Sequence, residues 1–191
     1  MIKYPLASST WDNKEIKAIR SIIDSNIFTM GKNVSKFEKN FGKFIGRKYC
    51  VMVSSGSAAN LISIASFFYT KKPILKKGDE IIVPAVSWST TYFPLQQYGL
   101  KLKFVDIDLN SLNYDLKALE SAISKKTKMI VVVNLLGNPN NFEFINNLIK
   151  NKNIYIFEDN CESLGAEYKG KQAGTFGLLG SFSTYFSHHI S

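Results

Sequence analysis

Short β-prone apolar runs alternate with amphipathic helical patterns along the whole of this 191-residue chain, and that alternation narrows the fold more than any other feature. The runs are Tyr49-Cys-Val-Met-Val, Glu80-Ile-Ile-Val-Pro-Ala-Val, Leu102-Lys-Phe-Val-Asp, Met129-Ile-Val-Val-Val and Ile154-Tyr-Ile-Phe-Glu-Asp, with a further one over 182–186. Between and before them, helical spacing predicts helices over 11–26, 33–45, 61–69, 90–98, 116–124 and 142–150. Asp12 is placed to cap the first, whose Ile16, Ile19, Ile22 and Ile23 share a face. Val34, Phe37, Phe41 and Ile45 do the same in the second. Strands alternating with helices imply an α/β fold, a mostly parallel sheet covered by helices on both faces. Ligands of such sheets bind beyond the carboxyl ends of the strands.

Composition excludes several classes. No 18-residue apolar run exists, and the N-terminal stretch has no signal-peptide core, so a cytoplasmic protein with no membrane partner is expected. Cys50 and Cys161 are too few for a disulfide framework or a complete zinc site, so no metal is expected. The formal charge is +9. Its lysines are dispersed in pairs such as Lys71-Lys72 and Lys125-Lys126, with no long basic run. That pattern argues against nucleic acid and leaves room for an anionic small substrate.

Several chemically informative residues fall where strands are expected to end. Ser54-Ser-Gly-Ser-Ala-Ala-Asn is a strand-to-helix turn of small residues whose free N–H groups and hydroxyls suit a phosphate. The plainer reading is a helix start capped by Ser55 or Ser57. Trp88 can offer a flat face to a planar ring or fill a core. Asp159 ends an apolar run, and a buried carboxylate needs a partner. A protonated ring nitrogen, a helix cap or a salt bridge would each serve. Glu162 adds a second acid, by itself an ordinary surface residue. The only two histidines, His188 and His189, follow a hydroxyl-rich stretch. Taken together, a phosphate cradle, a stacking face, an acid for a ring nitrogen and a base match what pyridoxal phosphate requires, except that 181–191 contains no lysine.

With those residues in view, the chain resembles the sugar-aminotransferase family of fold-type I pyridoxal-phosphate enzymes. The resemblance covers the whole chain and is carried by 54–60, Pro84-Ala-Val-Ser-Trp, Asn134-Leu-Leu-Gly-Asn-Pro, Glu158-Asp-Asn-Cys-Glu-Ser-Leu-Gly-Ala and 183–191. It implies an aspartate-aminotransferase-like large domain, with 1–191 as the cofactor-binding N-terminal part of a longer enzyme that continues into a small domain. It also implies a homodimer with a shared active site. Gly56, Ser57 and Ser183 would hold the phosphate, Trp88 would stack on the ring, Asp159 would pair with its nitrogen, and Glu162 would lie near its hydroxyl. The family's cofactor-bearing lysine falls at His188 here. That substitution resembles the branch of 3-dehydratases that make 3,6-dideoxy sugars. It implies pyridoxal 5'-phosphate or pyridoxamine 5'-phosphate held without a covalent bond, His188 as acid and base, and a nucleotide-diphosphate sugar and L-glutamate as substrates. His189 carries no role. An iron–sulfur-dependent dehydratase, an ordinary nucleotide-sugar aminotransferase and a non-catalytic basic binding module stand as alternatives.

Overall fold

The computed structural model describes residues 10–185 and 188. They divide into two compact units. One takes its described residues from Met1–Met52 and Thr184–Ser191; the other is Val53–Ser183.

The first unit carries two amphipathic helices. Helix α1 (Asn13–Ser25) starts with a reciprocal cap: the Asp12 carboxylate accepts from the Lys14 N–H at 2.5 Å, and the Asp12 N–H donates to Glu15 at 2.7 Å. Asn26 closes it in the left-handed region at φ 53°. Helix α2 (Lys32–Phe44) aligns Phe37, Phe41 and Phe44, whose successive ring centroids are 5.4 and 6.4 Å apart. The strand expected over Tyr49-Cys-Val-Met-Val does not form. Tyr49 and Val51 lie exposed, and the Met52 N–H donates at 2.8 Å to the Glu38 carboxylate on α2 instead of to a neighbouring strand. Period-2 patterning marks a strand only where a ladder partner is available.

The second unit begins with α3 (Gly56–Tyr69) and contains strands β1 (Glu80–Pro84), β2 (Lys101–Val105), β3 (Thr127–Val133) and β4 (Tyr155–Asn160). Helices α4 (Ser89–Gln97), α5 (Leu116–Ala122) and α6 (Phe142–Ile149) connect them in turn. A hairpin of β5 (Glu167–Tyr168) and β6 (Lys171–Gln172) then leads to β7 (Leu179–Phe182). The five-stranded sheet has the order β2-β1-β3-β4-β7, with every neighbouring pair parallel. The chain steps from β1 to the edge at β2 and then returns to the other side at β3, so the order reverses between β1 and β3.

Alternation within each strand explains why both faces are apolar. Ile81, Val83, Met129, Val131 and Phe157 face Ile64, Phe67 and Leu95 of α3 and α4. The intervening Ile82, Ile130, Val132 and Ile156 face Leu119, Ala122, Phe142 and Ile145 of α5 and α6. A parallel strand buried on both sides has no polar face to show, hence the continuous Ile-Val runs in the sequence. The expected α/β layering is thus observed, with most boundaries shifted by only a residue or two.

The last strand departs from expectation. It spans Leu179–Phe182 rather than starting at Phe182, because its ladder is set by β4: Phe157 pairs with Leu179, and Asn160, the end of β4, pairs with Phe182. The loop before it is built around one side chain. Glu158, fully buried in β4, accepts from the backbone N–H groups of Gly174 (2.6 Å), Phe176 (2.6 Å) and Gly177 (2.5 Å). Gly174 has φ +87°, and a Cβ there would collide with the Phe182 ring.

Candidate active site

The carboxyl ends of β1, β3, β4 and β7, with the start of α3, gather polar side chains along one edge of the second unit. Asp159, near the end of β4, is only 4% exposed. Its Oδ2 accepts from Asn60 Nδ2 at 2.8 Å and from Thr91 Oγ1 at 2.9 Å, and its Oδ1 accepts from the Cys161 backbone N–H at 3.2 Å. The Cys161 thiol also donates to it. These partners, all those found among the described residues, are neutral. They hold the carboxylate in place, and none of them carries an opposite charge. A helix cap and a salt bridge are the ordinary uses of such an aspartate, and its contacts among the described residues form neither.

Gly56 and Ser57 open α3, capped by Ser55, whose hydroxyl accepts from the Ala58 N–H at 3.1 Å. The first helical carbonyl to accept is that of Ser55, from Ala59. The Gly56 and Ser57 N–H groups therefore point out of the helix end. Buried Ser183 follows β7 and closes on the same turn. A Cβ on Gly56 would stand 2.8 Å from Ser183 Cβ and 2.9 Å from Cys161 Sγ, so only glycine allows this approach. The structure thus brings Gly56, Ser183, Cys161 and Asp159 together.

Cys161 itself is shaped by this company. Burial pushes its thiol well above the ordinary range, reinforced by the charge of Asp159, by the hydrogen bond to that carboxylate, and by the charge of Glu162. The thiol is accordingly a protonated donor, not a nucleophile.

Trp88 is the N-cap residue of α4, just beyond β1, and is 73% exposed. It fills no core; its ring is a free flat face on the described surface. Half-buried Glu162 accepts at 3.3 Å from the N–H of Leu136. Leu136 lies in the short 3-10 turn after β3 and adopts φ 52°, a strained backbone for leucine that is tied down by this contact. Behind it runs a network of buried amides. Asn134 donates to Asn160 at 2.7 Å, and Asn140 donates to Val133 O at 2.8 Å and to Asn113 at 3.0 Å.

His188 belongs to the first unit. It is half-buried, its N–H donates to Tyr185 O at 2.8 Å, and its ring meets the Tyr185 ring edge-on at 5.5 Å. His189 lies outside the described residues. Asn60, Thr91 and Ser181 were not singled out for a role at the sequence level. Asn60 closes the small-residue turn, and Ser181 is one of the hydroxyls around the histidines, but Asn60 and Thr91 lie 99 and 68 positions from Asp159, and Ser181 lies 121 positions from Asn60.

The sequence profile of the DegT/DnrJ/EryC1/StrS aminotransferase family matches residues 9–191. The chain belongs to this family. It is 65% identical over its whole length to GDP-4-keto-6-deoxy-D-mannose 3-dehydratase of Yersinia pseudotuberculosis and 64% identical to that of Escherichia coli O55:H7. It spans about half the length of these curated relatives, 49% in both. A solved E. coli GDP-4-keto-6-deoxy-D-mannose-3-dehydratase with bound hydrated PLP superposes with a TM-score of 0.97 at 64% identity, covering 100% of this chain and 49% of that one. A mutant of GDP-4-keto-6-deoxymannose-3-dehydratase with bound GDP-perosamine gives the same TM-score at 63% identity, covering 99% of this chain and 49% of that one. At this similarity the fold is the aspartate-aminotransferase-like α/β arrangement of that family. Among the described residues no helix is long and apolar enough to cross a membrane.

Proposed function

We propose that residues 1–191 form the cofactor-binding large domain of a longer GDP-4-keto-6-deoxy-D-mannose 3-dehydratase. It would take L-glutamate as amino donor and hold pyridoxal or pyridoxamine 5'-phosphate without a covalent bond. The reaction belongs to the colitose branch of deoxysugar biosynthesis, which serves the lipopolysaccharide O-antigen. The relatives named above carry this activity in their names. We place the work in the cytoplasm, in a homodimer that shares its active sites.

The observation that carries the reading is Asp159. A buried carboxylate whose donors among the described residues are all neutral, at the ligand-binding edge of a parallel sheet, is arranged to receive a cation. A protonated pyridine nitrogen supplies one. The close approach at Gly56 supports the same ligand: it sets Ser183 beside the helix start, where the Gly56 and Ser57 N–H groups would meet a phosphate.

When bound, the cofactor supplies an amine for the 4-keto carbon and an electron sink for the charge that develops as the C3 hydroxyl departs. The residues do the rest. Asp159 would hold a proton on the ring nitrogen, Trp88 would offer its exposed face for stacking, and Glu162 would lie near the ring hydroxyl. An imidazole nitrogen of His188 takes a proton from the amine-bearing carbon and returns one to the leaving hydroxyl. Histidine moves protons without bonding to the cofactor, which a lysine at the same position would do.

The test is the product. The intact protein is incubated with pyridoxal phosphate, L-glutamate and GDP-4-keto-6-deoxy-D-mannose, and the sugar is identified by NMR. A 3-deoxy-4-keto sugar with release of ammonia is expected. A sugar that retains its C3 hydroxyl and gains an amine at C4 would mark an aminotransferase and overturn the reading.

A further inference from the structure

Asn60 is 1% exposed, one turn into α3, and its amide is specified at both ends. The Ser181 hydroxyl donates to its Oδ1 at 2.5 Å. Its Nδ2 donates to Asp159 Oδ2 at 2.8 Å and to the Thr90 carbonyl at 3.3 Å. A flipped amide would set its oxygen against a carboxylate and a carbonyl, so one orientation is enforced. Thr91 completes the arrangement. Its proton goes to Asp159 Oδ2, and its oxygen lies 2.8 Å from Ser87 Oγ, which can donate in return. Oδ2 thus has two donors, Oδ1 has the Cys161 N–H, and the Cys161 thiol donates to the group as well. Fixing Oδ2 from two sides fixes the plane of the group, and with it the direction in which its charge is presented.

We infer that Asn60, oriented by Ser181, is a positioning residue for Asp159, aiming the carboxylate at the ring nitrogen of the cofactor. This rests on the proposed pairing of Asp159 with that nitrogen. Asn60 does not touch the cofactor in this account. It acts through Asp159, much as residues behind metal ligands set ligand orientation.

The experiment measures binding rather than turnover. Pyridoxal phosphate and its 1-deaza analogue, in which a C–H replaces the ring nitrogen, are titrated by absorbance into the intact protein. The proteins are wild type, Asn60→Ala, Asp159→Asn, the double variant and Ser181→Ala. Wild type is expected to prefer pyridoxal phosphate to the analogue. Asn60→Ala is expected to weaken pyridoxal phosphate about tenfold and leave the analogue unchanged. In the Asp159→Asn background the same change is expected to have no further effect, since the group it acts through is gone. Ser181→Ala removes only the hydroxyl and is expected to show the same selective loss, about threefold; it decides the question alone if Asn60→Ala does not fold. Equal weakening of both ligands, or of neither, in Asn60→Ala and Ser181→Ala would overturn the inference while leaving Asp159 in place. Undiminished preference for pyridoxal phosphate in Asp159→Asn would overturn the underlying pairing, and the inference with it.

Discussion

At the scale of single residues, burial decides which changes are read as stability and which as binding. Trp88 is exposed, so Trp88→Ala is expected to leave the unfolding midpoint within about 0.5 kcal/mol of wild type. The same variant is expected to lose cofactor affinity in a fluorescence titration; an unchanged affinity would remove Trp88 from the proposed site. Cys161 gives a second test. An ordinary thiol is about half ionised near pH 8.5, and the thiolate is the reactive form. Burial, the Asp159 charge and hydrogen bond, and the Glu162 charge raise this thiol, so less thiolate is present at that pH. Iodoacetamide at pH 8.5 is therefore expected to spare Cys161 in the native protein and label it in urea, as read by peptide mass. Asp159→Asn, which removes the nearest negative charge, is expected to speed the native reaction.

Elements are held by pairings that no local pattern announces. Glu158 sits between two apolar residues and the aspartate that attracts attention, and its sequence context says strand. Only the fold shows that its carboxylate gathers the N–H groups of Gly174, Phe176 and Gly177 and so shapes the loop leading into β7. Glu158→Gln puts an NH2 where an acceptor is needed and is expected to destabilise the protein by about 3 kcal/mol in urea unfolding. Gly174→Ala combines a positive φ with a collision at Phe182 and is expected to cost about 2 kcal/mol. The helices and most strands were legible because each repeats one period over its own length: Ile81 and Val83 against Ile82 is enough to place a two-faced strand. Tyr49–Val53 and 182–186 are both β-prone, but the β4 ladder ends at Phe182, Phe186 lies outside the described residues, and Met52 bonds to Glu38. The Asp159 cage was half legible. A carboxylate at a strand end is visible in the sequence; the donors Asn60 and Thr91, 99 and 68 positions away, are not.

For the whole molecule, the sheet order accounts for where the chemistry collects. The chain reverses direction across the sheet between β1 and β3, and Trp88, Asn134 and Asp159 follow or end β1, β3 and β4 there. The dispersed lysines and the +9 charge favour an anionic ligand, as suits a nucleotide-diphosphate sugar under the proposed reading. Under the proposed reading the cofactor is held without a covalent bond, because His188 stands at the sequence position of the family's lysine. The most direct measurement is to load the intact protein with pyridoxal phosphate, reduce it with borohydride, denature it and weigh the chain. The mass of the unmodified polypeptide is expected, with the cofactor recovered free in solution. A chain heavier by one reduced pyridoxyl phosphate group, mapped to any lysine at the site, would contradict that reading.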